Sequence, residues 1–244
     1  MPRPAAVLVA AVLLAGACGD DDDETAETGE APTTTTEEPA ASTTSAPATT
    51  TSTVPAGLEQ PAIWPAADVV FATPEEAAED FVSQVLGVPP VLGAFQAGDS
   101  RSGEIEVFSP GEGGGAAVGR GLLLLRQLGP DDGWFVLAAV NPNAAITVPA
   151  SGAEVPAGPL TVEGVGRGFE ANLNVVARVA GQSGDPLDLV ITSGGTFETP
   201  EPFSVSVDLT GADPGGIVML LVRGGTGLET DPGDFGAIPV VVQV

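Results

Sequence analysis

The chain contains no histidine, no lysine and no tyrosine, and its only thiol is Cys18. Each absence removes a class of chemistry. Nucleophilic catalysis needs a base held against the nucleophile, and histidine and lysine, the usual choices, are missing. Zinc sites of the usual kinds need several His or Cys ligands. A single Cys cannot close an internal disulfide, so the folded part stands on packing alone. Base of any kind is scarce: Lys and Arg together number 7 against 33 Asp and Glu, for a formal net charge of −26. Nucleic-acid binding requires clustered Lys and Arg, and docking of the folded part on anionic headgroups requires the same, so neither is expected. The charge itself reads as solubility and mutual repulsion. No enzymatic activity is expected, although a carboxylate-pair glycosidase remains formally open, since two acids at about 5 to 9 Å suffice. Only Trp64 and Trp134 are present as large sugar platforms.

What the chain does have begins at its amino end. Arg3 is followed by an uncharged run over residues 5–17, which ends in Ala15-Gly16-Ala17-Cys18-Gly19 and then Asp20-Asp21-Asp22-Asp23-Glu24. A membrane-spanning helix needs about 20 apolar residues, so this run is too short and fits the apolar region of an export signal. Leu13-Leu14-Ala15-Gly16-Ala17-Cys18 resembles the bacterial lipobox. The resemblance implies a signal peptide over 1–17, cleavage before Cys18 and a diacylglyceryl (and palmitate) anchor on that sulfur, hence a cell-membrane lipoprotein on the extracytoplasmic face. The departure is Ala15 where Leu is commoner. An ordinary secretory leader with an incidental Cys is the other reading. The acid run after Cys18 is a solvated cluster, with loose attraction for divalent cations as the alternative.

Residues 18–65 are rich in Thr, Pro, Ser, Ala and acid, without apolar periodicity. Such a stretch cannot bury enough surface to offset its ordering entropy and reads as a disordered stalk. About 45 residues give a root-mean-square reach of roughly 35 to 40 Å. The stalk is either a bare linker or an O-glycosylated one.

Residues 66–142 read as a small α+β domain, its folded part beginning near Ile63-Trp64. Thr73-Pro74-Glu75-Glu76 combines an N-cap, a proline at the first helical position and a glutamate placed for a capping box. Ala77, Ala78, Phe81, Val82, Val85 and Leu86 then form one apolar stripe, and Gly87 is a stop signal. Strands are expected at 91–97, 103–108, 120–128 and 134–140. Gly129-Pro130-Asp131-Asp132-Gly133 supplies the hairpin turn between the last two. Pro110-Gly111-Glu112-Gly113-Gly114-Gly115 lacks the Lys-Ser/Thr ending of a phosphate loop and reads as a flexible hairpin connection.

Residues 143–244 are pure strand pattern: runs at 146–148, 160–165, 173–179, 187–192, 203–209, 217–222 and 238–244, separated by Gly, Pro and Asp. Seven short strands in this length predict an immunoglobulin-like β-sandwich, and the whole chain is expected to be mainly β. The core is expected to be aliphatic with Phe169, Phe203 and Phe235, and Pro239 points to an edge or bulge position in the last strand. Ile146-Thr147-Val148-Pro149-Ala150-Ser151-Gly152, Leu160-Thr161-Val162-Glu163-Gly164, Gly168-Phe169-Glu170-Ala171, Pro202-Phe203 and Ile238-Pro239-Val240 are similar to the immunoglobulin-like domain family associated with bacterial spore germination. That resemblance implies a fold and export from the bacterial cell, and it transfers no catalytic residue. Phe169 reads as a core anchor and Glu170 as a turn acid. Asp231-Pro232-Gly233-Asp234 and Asp131-Asp132 read as polar turns, with Ca²⁺ ligation the alternative. Arg167, Arg178 and Arg223 are expected to pair with strand acids such as Asp188 or Asp208.

These features add up to an expectation of a lipid-anchored, extracytoplasmic binding or structural module without cofactor or metal, accessory to an envelope complex. Its expected partners are the membrane, through Cys18, and an envelope protein or glycan. The alternative is a ligand-binding lipoprotein that captures a small molecule or glycan between helix and sheet of residues 66–142.

Overall fold

The structure is a computed structural model that describes residues 58–111 and 115–244. The leader, Cys18 and most of the stalk lie outside the described residues. Thr73 opens helix α1 (Pro74–Phe81) as its sequence dictates: its side chain accepts from Glu76 N, and Glu76 reaches back to the Thr73 backbone N–H. The helix widens into a π-helical turn (Val82–Leu86) and stops at Gly87, whose left-handed backbone (φ 69°) suits the absent Cβ.

Four antiparallel strands follow: β1 (Gln96–Asp99), β2 (Ser102–Ser109), β3 (Val118–Leu128) and β4 (Gly133–Val140). The strand expected at 91–97 is broken, because Leu92 makes one isolated bridge to Val107 and Phe95 leaves the ladder to set its ring edge-on against Trp134, 5.3 Å between centroids. The 129–133 turn joins β3 to β4 as anticipated.

The second half adds β5 (Ala144–Val148), β6 (Glu154–Val155), β7 (Pro159–Gly166), β8 (Asn172–Val179), β9 (Asp188–Ser193), β10 (Glu201–Asp208), β11 (Ile217–Gly224) and β12 (Phe235–Val242). Strands β10-β7-β5 form one sheet, which faces β12-β11-β8-β9 of the other. This is the expected immunoglobulin-like sandwich, with the short β6 added in parallel to β12. Its core holds Val162, Leu173, Val175, Phe203, Val218, Leu220 and Val240.

The two halves are not separate bodies. Strand β12 also pairs with β4 through Ala237 and Ala139, so a nine-stranded sheet runs β1-β2-β3-β4-β12-β11-β8-β9, with β6 alongside. Along β11 the side chains alternate between two cores: Val218, Leu220 and Val222 face the sandwich, whereas Met219 and Leu221 join Phe81, Leu86, Ile105, Leu123 and Val136 beneath α1. Burial on both faces explains why the 217–222 run is apolar throughout instead of alternating. Pro239 consequently lies inside the sheet and not at an edge. Its carbonyl accepts from Gly152 N on the side where β12 changes from β4 to β6, and its missing N–H falls in that gap.

The stalk boundary at residue 65 also moves. Ala62, Ile63 and Trp64 are buried, Ile63 N and Trp64 N both donate to Val136 O, and Gly181 N from the sandwich donates to Ile63 O. The packed chain therefore includes residues 58–65. Trp64 Nε1 further donates to Asp80 Oδ2 at 2.9 Å, tying this segment to α1.

Candidate interaction surface at the loop end of the sandwich

Three connections meet at one end of the sandwich: residues 167–171 between β7 and β8, 194–200 between β9 and β10, and 225–234 between β11 and β12. In variable-type immunoglobulin domains the corresponding end carries the binding loops. Backbone hydrogen bonds knit them together. Gly168 N donates to Gly195 O (3.0 Å), Gly195 N to Gly166 O (2.8 Å), Gly194 N to Ala171 O (2.7 Å) and Phe169 N to Gly225 O (2.7 Å).

Phe169 is not in the core. It is 48% exposed, because Glu170 and Ala171 both take left-handed backbone (φ 52° and 58°) and the chain turns the ring outward. Two consecutive non-glycine residues in that region cost on the order of 1 to 2 kcal/mol each, and such strain concentrates at functional sites. Phe197 of the second loop, 45% exposed, meets it with ring centroids 6.3 Å apart, and Leu228 of the third is 48% exposed. Val118, at the start of β3, extends the patch from the first half. Between them lies a cleft of about 240 Å³, walled by Pro110, Val118, Phe197 and Leu228 and floored by Arg120 and Asp231. Residues 112–114 of the glycine-rich connection beside Pro110 lie outside the described residues.

The floor is a buried polar network. Arg120 Nη2 meets Asp231 Oδ2 at 2.5 Å, and Arg120 Nε donates to Ser109 Oγ at 3.0 Å. Arg167 Nε meets Asp234 Oδ2 at 2.7 Å and its Nη1 donates to Phe197 O at 2.8 Å. Asn141 Nδ2 donates to Arg120 O (2.6 Å) and Asp234 Oδ1 (3.3 Å), while Gly233 N donates to Asp231 Oδ1 (2.9 Å). Arg223 closes the underside by donating to the carbonyls of Pro232, Leu86 and Asp231. Burial pulls its guanidinium below the usual arginine range, with the Asp231 charge acting against that shift. Arg120 and Asn141 come from the first half, Arg167 and Arg223 from the sandwich, so the 225–234 loop is clamped by both.

The expected arginine pairings are thereby corrected. Arg167 pairs with Asp234, and Arg223 serves carbonyls. Asp188 and Asp208 cap backbone: Asp188 Oδ2 accepts from Asp208 N at 2.8 Å, and Asp208 Oδ1 accepts from Thr210 N and Oγ1 at 2.9 and 2.5 Å. Arg178 lies near the Asp185 charge, and its Nε and Nη1 have no hydrogen-bond partner among the described residues. At Asp231 and Asp234 the carboxylate oxygens are engaged by arginine and N–H donors, which leaves them a structural part and not a calcium cradle. Asp132 pairs with Arg101 at 2.7 Å on the surface of the 129–133 turn. Trp64 and Trp134 are buried and offer no platform to a sugar. The space under α1 is filled by Ile63, Phe81, Val82, Leu86 and Val136, all nearly inaccessible. A second cleft, of about 420 Å³, lies where the halves meet and is lined by Leu122, Val140, Ile146 and Ile238.

Sequence reasoning passed over Phe197, Leu228, Arg120 and Asn141. The readable signal was a large apolar side chain stranded in a turn-forming loop, as in Gly194-Gly195-Thr196-Phe197-Glu198-Thr199 and Gly227-Leu228-Glu229. The arginine contacts left no local trace, since Arg120 and Asp231 are 111 positions apart.

A family model described as the immunoglobulin-like domain of bacterial spore germination matches residues 143–223. No curated protein and no solved structure matches the chain.

Proposed function

We propose that this chain is a non-catalytic binding module, carried on the outer side of the cell membrane by lipid on Cys18 and held off the bilayer by the stalk, that engages an envelope protein through the loop end of its sandwich. The observation that carries the reading is the exposed pair Phe169 and Phe197 with Leu228, over a fully bonded ionic floor, with Phe169 turned out by the left-handed backbone of Glu170 and Ala171. Monomeric surfaces scatter single apolar residues, but a contiguous patch on loops from three strand connections marks an interaction site. Phe169, Phe197 and Leu228 are already about half covered, so burying the rest against a partner supplies roughly half of the 1.5 to 3 kcal/mol of a full burial, about 0.7 to 1.5 kcal/mol each and on the order of 2 to 4 kcal/mol together. The match at residues 143–223 supports a structural module of exported type. The lack of any His or Lys, together with Asp231 and Asp234 being spent on arginine, supports binding over catalysis.

A photo-crosslinking amino acid placed at Leu228 in the full chain, compared with one at Asp213 on the opposite end of the sandwich, tests this in cells. The proposal expects a discrete adduct from position 228 and none from 213. Equal labelling at both ends, or none at either, contradicts it.

A further inference from the structure

We infer that the loop end is built for a protein segment that presents one apolar side chain flanked by lysine or arginine. The inference rests on the docking reading above and adds the chemistry of the partner. Each loop pairs its apolar residue with an adjacent outward acid: Phe169 with Glu170, Phe197 with Glu198 and Leu228 with Glu229, all three carboxylates exposed. The bases nearby face the other way. Arg120 and Arg167 have only 13% and 24% of their side chains accessible and point into the floor, and Arg223 is spent on buried carbonyls. Among the described residues, the surface is therefore an apolar centre inside an anionic rim with no free cation of its own.

Size and charge then select the occupant. The 240 Å³ cleft falls below the roughly 300 to 1,000 Å³ of small-molecule sites and fits a single large side chain. A second copy of the chain brings a like charge of −26 and an identical anionic rim, so self-association is opposed. An anionic lipid or nucleic-acid surface is opposed for the same reason. A basic segment with an apolar anchor satisfies both parts: the anchor fills the cleft between Phe197 and Leu228, and the flanking cations meet Glu170, Glu198 and Glu229. Rim charges of this kind govern encounter rate and salt dependence, while the buried anchor governs lifetime.

The probe is an immobilised peptide with one Phe between two Arg on each side. It is compared with the same peptide carrying Glu for Arg, and with one carrying Ala for Phe. Binding of the full chain is measured at about 50 and 500 mM salt, where screening lengths are roughly 14 and 4 Å. The basic Phe peptide is expected to bind and to weaken tenfold or more at the higher salt, with the Glu and Ala peptides at least tenfold weaker at low salt. Combined Glu170→Gln, Glu198→Gln and Glu229→Gln is expected to weaken binding tenfold and flatten the salt dependence. An equal change of charge elsewhere, Glu79→Gln with Glu154→Gln and Asp213→Asn, is expected to change binding less than twofold. Phe197→Ser weakens binding and leaves the salt slope intact. Equal binding of the Glu and Arg peptides, or equal loss from the two charge variants, overturns the inference. In that event a surviving crosslink at Leu228 leaves the docking surface standing with a different partner, whereas loss of the crosslink removes the docking reading itself.

Discussion

Cutting the chain at the boundary suggested by sequence, to leave residues 143–244 alone, removes the layer that covers one face of β8, β11 and β12. Val176, Met219, Leu221 and Phe235, all buried, would then face water where α1, Ile63 and Trp64 had been. At about 1.5 to 3 kcal/mol for each large side chain, the loss is on the order of 6 to 12 kcal/mol, against about 5 to 15 for a whole domain. The figure is an upper bound, because compact unfolded chains already bury part of this area. Two further supports go with the first half: Leu86 O, which receives Arg223, and Asn141, which donates to Asp234. The assay is urea unfolding. Both tryptophans, Trp64 and Trp134, lie in the first half, so in the full chain their fluorescence reports that half while far-UV circular dichroism reports all strands. If the sheet makes one cooperative body, the two transitions coincide. The fragment then shows no cooperative transition, or a midpoint lower by about 2 M or more for a slope of 1 to 3 kcal/mol/M. Two separated transitions in the full chain, with a fragment as stable as the second, would mean that the halves fold independently.

Three further perturbations probe the loop end and its support. Asp234→Ala leaves Arg167 without a counter-charge, while Arg120 keeps Asp231; removing one partner of a buried pair costs about 3 to 5 kcal/mol, reduced here because Arg167 is partly accessible, and thermal denaturation should show the loss. Gly121→Ala places a Cβ 2.8 Å from the ring of the fully buried Phe235, and is expected to destabilise by about 1 to 3 kcal/mol; an unchanged melting temperature would contradict the close approach of β3 to β12. Hydrogen bonds from Thr210 hold the Asp208 carboxyl below its usual range, as the N–H of Arg101 does for Asp99 and that of Gly129 for Glu59. A lowered folded value contributes stability above the unfolded value of about 4 and loses it as pH falls through the folded one, so the urea midpoint should drop on going from pH 5 to below 4, and less so in Asp208→Asn.

Local signals were legible to the extent that they are written in neighbouring residues. The capping box at Thr73 and Glu76, the stop at Gly87, the 129–133 turn and the seven strands of the sandwich all follow from short-range chemistry, and the structure has each of them. The joining of the halves was less visible, although the unbroken apolar run of β11 was its trace: a sandwich strand with one face in water alternates, and this one does not. Phe169 misled because an aromatic beside glycine in a strand-rich segment usually packs inward, and only the left-handed turn at Glu170 and Ala171 shows that it cannot. Pro239 misled because strand prolines favour edges, whereas here the sheet changes partners at that residue. The ionic floor was illegible, since its members meet only after β3, β7, β11 and β12 have come together.

Intact mass and membrane fractionation of the native protein beside Cys18→Ser test the tethered-module account most directly. The account predicts that the wild type carries the diacylglyceryl mass on a chain beginning at Cys18 and sediments with membranes, while Cys18→Ser is unprocessed or released. A wild type that is unlipidated and soluble would contradict it.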